Sequence, residues 1–301
     1  MPLAVAVALS VILYPFSASG DTIYVWSYDG SIEKFTQGGV GSGFANTGSS
    51  YNGSVGLAVD RLGNLYAGNP SNSIVTKFTP DGAGSFFHVF DSVSGLAFNS
   101  TGELFGTSPN FSELIKFPPL GDAVSIADSR NSKLDFPLSI AFDAAGNLYA
   151  ANHGSPFSGS GYANTIEKFS QTGLDLGTFA MTGLNKPWGL AFDRAGNLFV
   201  SNSGNNTIEK FTPGGVGSVF WSTGLDNPQG LAFDSAGNLY VVNTGNNTVR
   251  KIRPNGLSSI FASGLNSPSS IAIARDVPEP STWVLLVLGP LILAAYRRRS
   301  A

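Results

Sequence analysis

The sequence contains no cysteine. Disulfides, thiolate nucleophiles and thiolate metal sites are therefore excluded. Histidine is almost as scarce, with only His88 and His153 in 301 residues. Ser-His-Asp chemistry needs an imidazole held by a carboxylate beside a serine, and nothing in the sequence ties either histidine to such partners. Charged residues make up 12% of the chain, about half the ordinary level of roughly 25%. Between Asp21 and Asp276 there are 19 acidic and 14 basic residues, a net charge of −5, and no basic run. That balance speaks against nucleic acid as a partner. Outside the two termini no segment shows apolar residues at helical spacing, so no helical layer is expected.

Glycine and aromatic residues are plentiful, and they recur in order. Gly146-Asn147-Leu148-Tyr149, Gly196-Asn197-Leu198-Phe199 and Gly237-Asn238-Leu239-Tyr240 are near-identical. Gly63-Asn64-Leu65-Tyr66 matches them, and Gly102-Glu103-Leu104-Phe105 is a degenerate copy. The glycines are 39, 44, 50 and 41 residues apart. A period near forty, built from short β-like runs, marks a propeller or solenoid.

One repeat, residues 187–222, shows what each unit does. Gly189-Leu190-Ala191-Phe192 alternates large and small apolar residues, as a strand buried on both faces does. Asp193-Arg194-Ala195-Gly196-Asn197 is a tight turn in which the Asp carboxylate accepts backbone N–H groups and Gly takes positive φ. Leu198–Ser201, Thr207–Phe211 and Ser218–Trp221 are further strands separated by Gly-, Asn- and Pro-rich turns. Four antiparallel strands joined by short turns make one propeller blade.

The Gly-Asn motif gives five blades. A lysine near the end of the third strand gives six: Lys34, Lys77, Lys116, Lys168, Lys210 and Lys251. The counts agree if one blade is split. Ser269–Ala274 reads as a first strand with nothing after it, and Thr22–Trp26 as a second strand with nothing before it. Joining them completes a sixth blade and removes two open sheet edges. The fold class predicted is all-β, a six-bladed β-propeller of four-stranded antiparallel blades over residues 21–276.

The two ends read differently. Leu3 to Phe16 is an apolar run followed by Ser17-Ala18-Ser19-Gly20, small residues suited to signal-peptidase cleavage, so residues 1–20 read as a signal peptide. The C-terminal segment 277–301 carries Pro278-Glu279-Pro280, an apolar stretch over 283–296, and Arg297-Arg298-Arg299. That order resembles the PEP-CTERM sorting signal of Gram-negative bacteria. The resemblance implies transit through the inner membrane, recognition of Pro-Glu-Pro by an exosortase, and a final place at the cell surface or in the extracellular matrix. The residues agree physically: the apolar stretch is a marginal span, and the arginines favour a cytoplasmic C-terminus. The body resembles NHL-repeat propellers, most clearly over Gly237-Asn238-Leu239-Tyr240-Val241-Val242-Asn243-Thr244-Gly245-Asn246-Asn247-Thr248-Val249. That resemblance implies six blades. This chain has Asn152, Asn202 and Asn243 where the family often has Asp, which weakens any cation site.

Candidate chemistry sits on the face carrying the loops between second and third strands and between blades. Asn69, Asn152, His153, Asn202 and Asn243 come from the first set, and Phe136, Trp188, Asn227 and Gln229 from the second. Rings that stack and amides that hydrogen-bond suit a sugar or peptide; the alternative is that the asparagines cap turns. The recurring Asp60, Asp143, Asp193 and Asp234 are expected to close turns, not to hold metal, because symmetry keeps them one per blade. Intrablade ion pairs are expected for Lys168–Asp143, Lys210–Asp193 and Lys251–Asp234. The leading expectation is a binding or structural module for polysaccharide or another envelope component, with no cofactor and no metal. A protein–protein scaffold is one alternative. The others are enzymes. Gluconolactonase-like propellers hold a divalent metal with carboxylates and amides, and no carboxylate is evident at the matching channel positions. Virginiamycin B lyase-like propellers need a catalytic histidine, for which His153 is the candidate.

Overall fold

The computed structural model describes residues 20–48, 55–69, 72–155 and 161–275. The signal-peptide run and the sorting tail, with Pro278, Glu279, Pro280, Arg297, Arg298 and Arg299, lie outside the described residues.

Six four-stranded antiparallel sheets form the molecule. The fourth blade runs Pro187–Phe192, Leu198–Asn202, Thr207–Phe211 and Gly217–Trp221, and the others repeat it. The sixth is stitched from both ends of the ring. Pro268–Ala274 pairs with Thr22–Ser27, which leads on to Ser31–Phe35 and Gly41–Asn46, and Ile23 lies opposite Ile273. Each first strand touches the first strand of the next blade, and Pro268–Ala274 touches Leu57–Val59, so the circle closes around an axis.

The cores lie between blades. A strand sends alternate side chains to opposite faces, so each blade shares one apolar layer with each neighbour. Tyr149, Ala151 and Ile166 of the third blade pack against Leu190, Leu198, Val200 and Phe211 of the fourth. Second strands are buried along their whole length, Leu198–Asn202 among them, except that Thr22 at the start of the sixth blade's is half-buried. Where the fourth and fifth first strands meet, the approach is so close that glycine is required: a Cβ on Gly189 would collide with the Gln229 carbonyl oxygen. Fourth strands, the exposed edges, pair with third strands through a register irregularity in every blade. Bulges of this kind twist an edge away from partners. All six apolar layers lie between residues 21 and 275, so the ring contains the whole of the described core.

The turn carboxylates behave as expected. Asp193 accepts N–H bonds from Ala195 (2.9 Å) and Asn197 (2.8 Å), and its second oxygen takes the Asn197 amide (2.8 Å). Asp60, Asp143 and Asp234 repeat the pattern. The lysines do not all pair as expected. Lys251–Asp234 (3.6 Å) and Lys168–Asp143 (3.9 Å) form, but among the described residues Lys210 has no carboxylate within 4.0 Å. Their shared partner is a ring: all six ammonium groups lie 5.0 to 5.8 Å from an aromatic centroid. Register explains it. Lys210 stands directly opposite Phe199, and Lys251 opposite Tyr240, so the lysine stem is laid across the ring.

Candidate binding face at the channel mouth

The four asparagines Asn69, Asn152, Asn202 and Asn243 end their second strands on the loop side and are buried. Their amides fasten the chain arriving from the previous blade. Asn202 accepts from Asn185 N–H (3.2 Å) and donates to the Gly183 carbonyl (2.8 Å) and Thr207 Oγ1 (3.1 Å). Asn152 does the same with Asp135 N–H, the Lys133 carbonyl and Thr165 Oγ1. Asn243 repeats it with Asp226, Gly224 and Thr248, and Asn69 donates to the Thr47 carbonyl. These are caps, the alternative reading of the same residues. Asn227 is also part of the scaffold: it is left-handed (φ 47°), and its N–H donates to Asn206 Oδ1 of the preceding blade (2.8 Å).

The aromatic candidates do come together. His153 stands 6.3 Å from Phe136 and 5.5 Å from Trp188, edge-on to the latter. Phe136 holds a left-handed backbone (φ 51°), a costly conformation for a bulky residue. Burial pushes the His153 pKa down from its ordinary 6.5, with the Gly154 carbonyl and Asp135 acting the other way and Lys186 reinforcing the fall. The ring is therefore mainly neutral at pH 7. His88 is elsewhere: it sits in a fourth strand with a ring nitrogen 2.6 Å from the Pro118 carbonyl, between Phe87 and Phe117.

Four buried polar atoms near this mouth have no hydrogen-bond partner among the described residues: Trp188 Nε1, Gln229 Oε1, Ser269 Oγ and Ser27 Oγ. Trp188, Gln229 and Ser269 hold the same place in successive first strands, and Ser27 holds the asparagine position of the sixth blade. Trp188 and Ser269 line the channel, a narrow cavity of about 90 Å³ ringed by the close-packed glycines and by Ser139 and Ser270. Two of the four, Ser27 and Ser269, escape a reading by residue type; repeat register alone would have found them. Unpaired buried donors and acceptors are costly unless something satisfies them. Among the described residues no three His, Asp or Glu side chains cluster closely enough to hold a metal ion.

Comparison with known proteins agrees with this architecture. Residues 184–211 and 225–252 match the NHL repeat. Residues 276–299 match the PEP-CTERM protein-sorting motif, which indicates export and sorting to the bacterial cell surface. No curated protein matches the chain. Among solved structures, a chain of a nidogen–laminin complex superposes with a TM-score of 0.71 at 19% identity, over 85% of this chain and 98% of that one. Virginiamycin B lyase from Staphylococcus aureus gives 0.62 at 16%, over 85% and 92%. A gluconolactonase from Xanthomonas campestris gives 0.60 at 18%, over 75% and 84%. At these identities the likeness is one of fold.

Proposed function

We propose that this is an exported, envelope- or matrix-associated propeller that binds polysaccharide, or another envelope component of similar polarity, at the loop-side mouth of its channel. One observation carries the reading: the Phe136–His153–Trp188 aromatic cluster lies beside buried donors and acceptors that have no hydrogen-bond partner among the described residues. Rings stack on the apolar faces of sugars, and unpaired polar atoms take their hydroxyls. The sorting motif supports the setting. In this reading an exosortase recognises Pro278-Glu279-Pro280 while segment 283–296 sits in the inner membrane and Arg297, Arg298 and Arg299 stay cytoplasmic.

A glycan array probed with the 21–276 ring tests the ligand class. Binding that Trp188→Ala removes is the expected result; silence across all glycans overturns it. Replacing Glu279 by Ala tests the sorting, and is expected to hold the chain in the inner membrane.

A second reading, a lyase-type enzyme with His153 as proton acceptor, has one observation in its favour. The ring is kept neutral, and so able to accept a proton, at the channel mouth. Turnover of a lactone-linked peptide or a simple lactone, lost on His153→Ala or on EDTA treatment, would replace the binding reading with an enzymatic one.

A further inference from the structure

The face opposite the loops carries a second, different cavity. It opens between the fourth and fifth blades, holds about 400 Å³, and is walled by Phe199, Phe220 and Phe233 with Lys210, Arg194 and Arg275 around it. Phe199 meets Phe220 at 4.9 Å and Phe233 at 5.0 Å, both edge-on. The volume is that of a small-molecule pocket.

Four other blades show what this place lacks. In the first, third and fifth blades the second-strand ring is a tyrosine, and its hydroxyl donates to the turn carboxylate: Tyr66 to Asp60 (3.3 Å), Tyr149 to Asp143 (3.1 Å) and Tyr240 to Asp234 (3.2 Å). The second blade has Phe105 instead, but Glu103 reaches Lys116 at 2.6 Å. The fourth blade has neither device. Phe199 offers no hydroxyl, and Lys210 lies over the ring at 5.4 Å with no ion pair among the described residues. The sixth shares the lack among the described residues, with Lys34 over the Phe44 ring at 5.8 Å and no ion pair, but at the fourth blade the gap borders the aromatic cavity.

The charge balance follows. Asp234 is matched by Lys251, and Asp193 is hydrogen-bonded within its own turn. Arg194 donates only to a neutral carbonyl, that of Ser235, and Arg275 makes no ion pair among the described residues. Three cations thus surround an aromatic pocket that contains one unmatched carboxylate.

We infer that this cleft is a binding site for an organic anion with a flat apolar body, a carboxylate or sulfonate on a ring system. The rings take the body edge and face. Lys210 and the two arginines take the charge in a partly dry setting, where ionic hydrogen bonds are strong.

Anilinonaphthalenesulfonate is the probe, titrated by fluorescence into the 21–276 ring, with neutral N-phenylnaphthylamine as comparison. One saturable anion site is expected. Lys210→Met should weaken it about tenfold, the loss of one good charge contact. Phe199→Tyr, which restores the hydroxyl found in the sister blades, should weaken it similarly while leaving the fold intact. Lys77→Met, at the equivalent place in the first blade, and Trp188→Ala, at the other mouth, should change nothing. If Lys210→Met unfolds the ring, Arg275→Gln gives the same reading. Absence of a saturable site, equal binding by wild type and both charge variants, equal loss in Lys77→Met, or equal affinity for the neutral dye would each overturn the assignment. Failure of the glycan reading leaves this result untouched, because the two sites share no residue.

Discussion

Phe136 shows the cost and use of a single residue. Its counterparts before the first-strand prolines are Lys186, Asn227 and Ser267, all left-handed. Asparagine tolerates that conformation and phenylalanine does not. Phe136→Asn should therefore raise stability by about 1 kcal/mol in urea denaturation and weaken ligand capture at the mouth; lower stability would show that the ring's packing outweighs backbone strain. Glu167 is a different case. It is buried, with one oxygen on Thr178 Oγ1 (3.2 Å) and the other unpaired among the described residues. Burial raises its pKa above the ordinary 4.5. The folded state then holds the proton more tightly than the unfolded chain, so this contribution is full below pH 4.5 and is lost as pH rises through the folded value. Glu167→Gln should match wild type below pH 4.5 and exceed it at neutral pH, by thermal melts at both; a pH-independent difference would deny the titration.

At the scale of elements, the turns closed by Asp60, Asp143, Asp193 and Asp234 were legible because their chemistry is local. An Asp four residues before an Asn, with Gly between, can close only on itself, and Gly196 takes φ 80° as required. Asp193→Ala removes three hydrogen bonds and leaves the Asn197 amide unpaired. A loss of about 2 kcal/mol is expected by chemical denaturation; a change under about 0.5 kcal/mol would show the turn is held by its strands alone. The lysine partners were only half legible. Sequence spacing gave the strand and the end, but the choice between Asp193 and the Phe199 ring depends on cross-strand register, which places the stem over the ring. The asparagines were legible as loop-side residues but not as buried ones. Whether an amide faces a ligand or an incoming chain depends on where the previous blade delivers that chain, a non-local fact. The fourth-strand bulges left no mark in composition at all.

The whole molecule depends on contacts between residues almost the full ring apart in sequence. The mismatch between five Gly-Asn motifs and six lysines located this closure in advance, because only a split blade reconciles them. The same contacts explain why propellers tolerate varied faces: specificity is carried on loops while the ring is held by strands. Closure also predicts how the protein fails. Removing Pro268–Ala274 uncovers the edge of Thr22–Ser27 and strips the apolar layer of Ile23, Val25 and Ile271. The loss extends beyond one strand, since the first and fifth blades each lose a neighbour. We expect the truncated ring to lack a single cooperative urea transition and to associate through its open edge on size-exclusion chromatography. A monomeric truncated form with an unfolding midpoint near that of the intact ring would mean that each interblade layer stands alone, as in an open solenoid, and that the sixth blade does not fasten the circle.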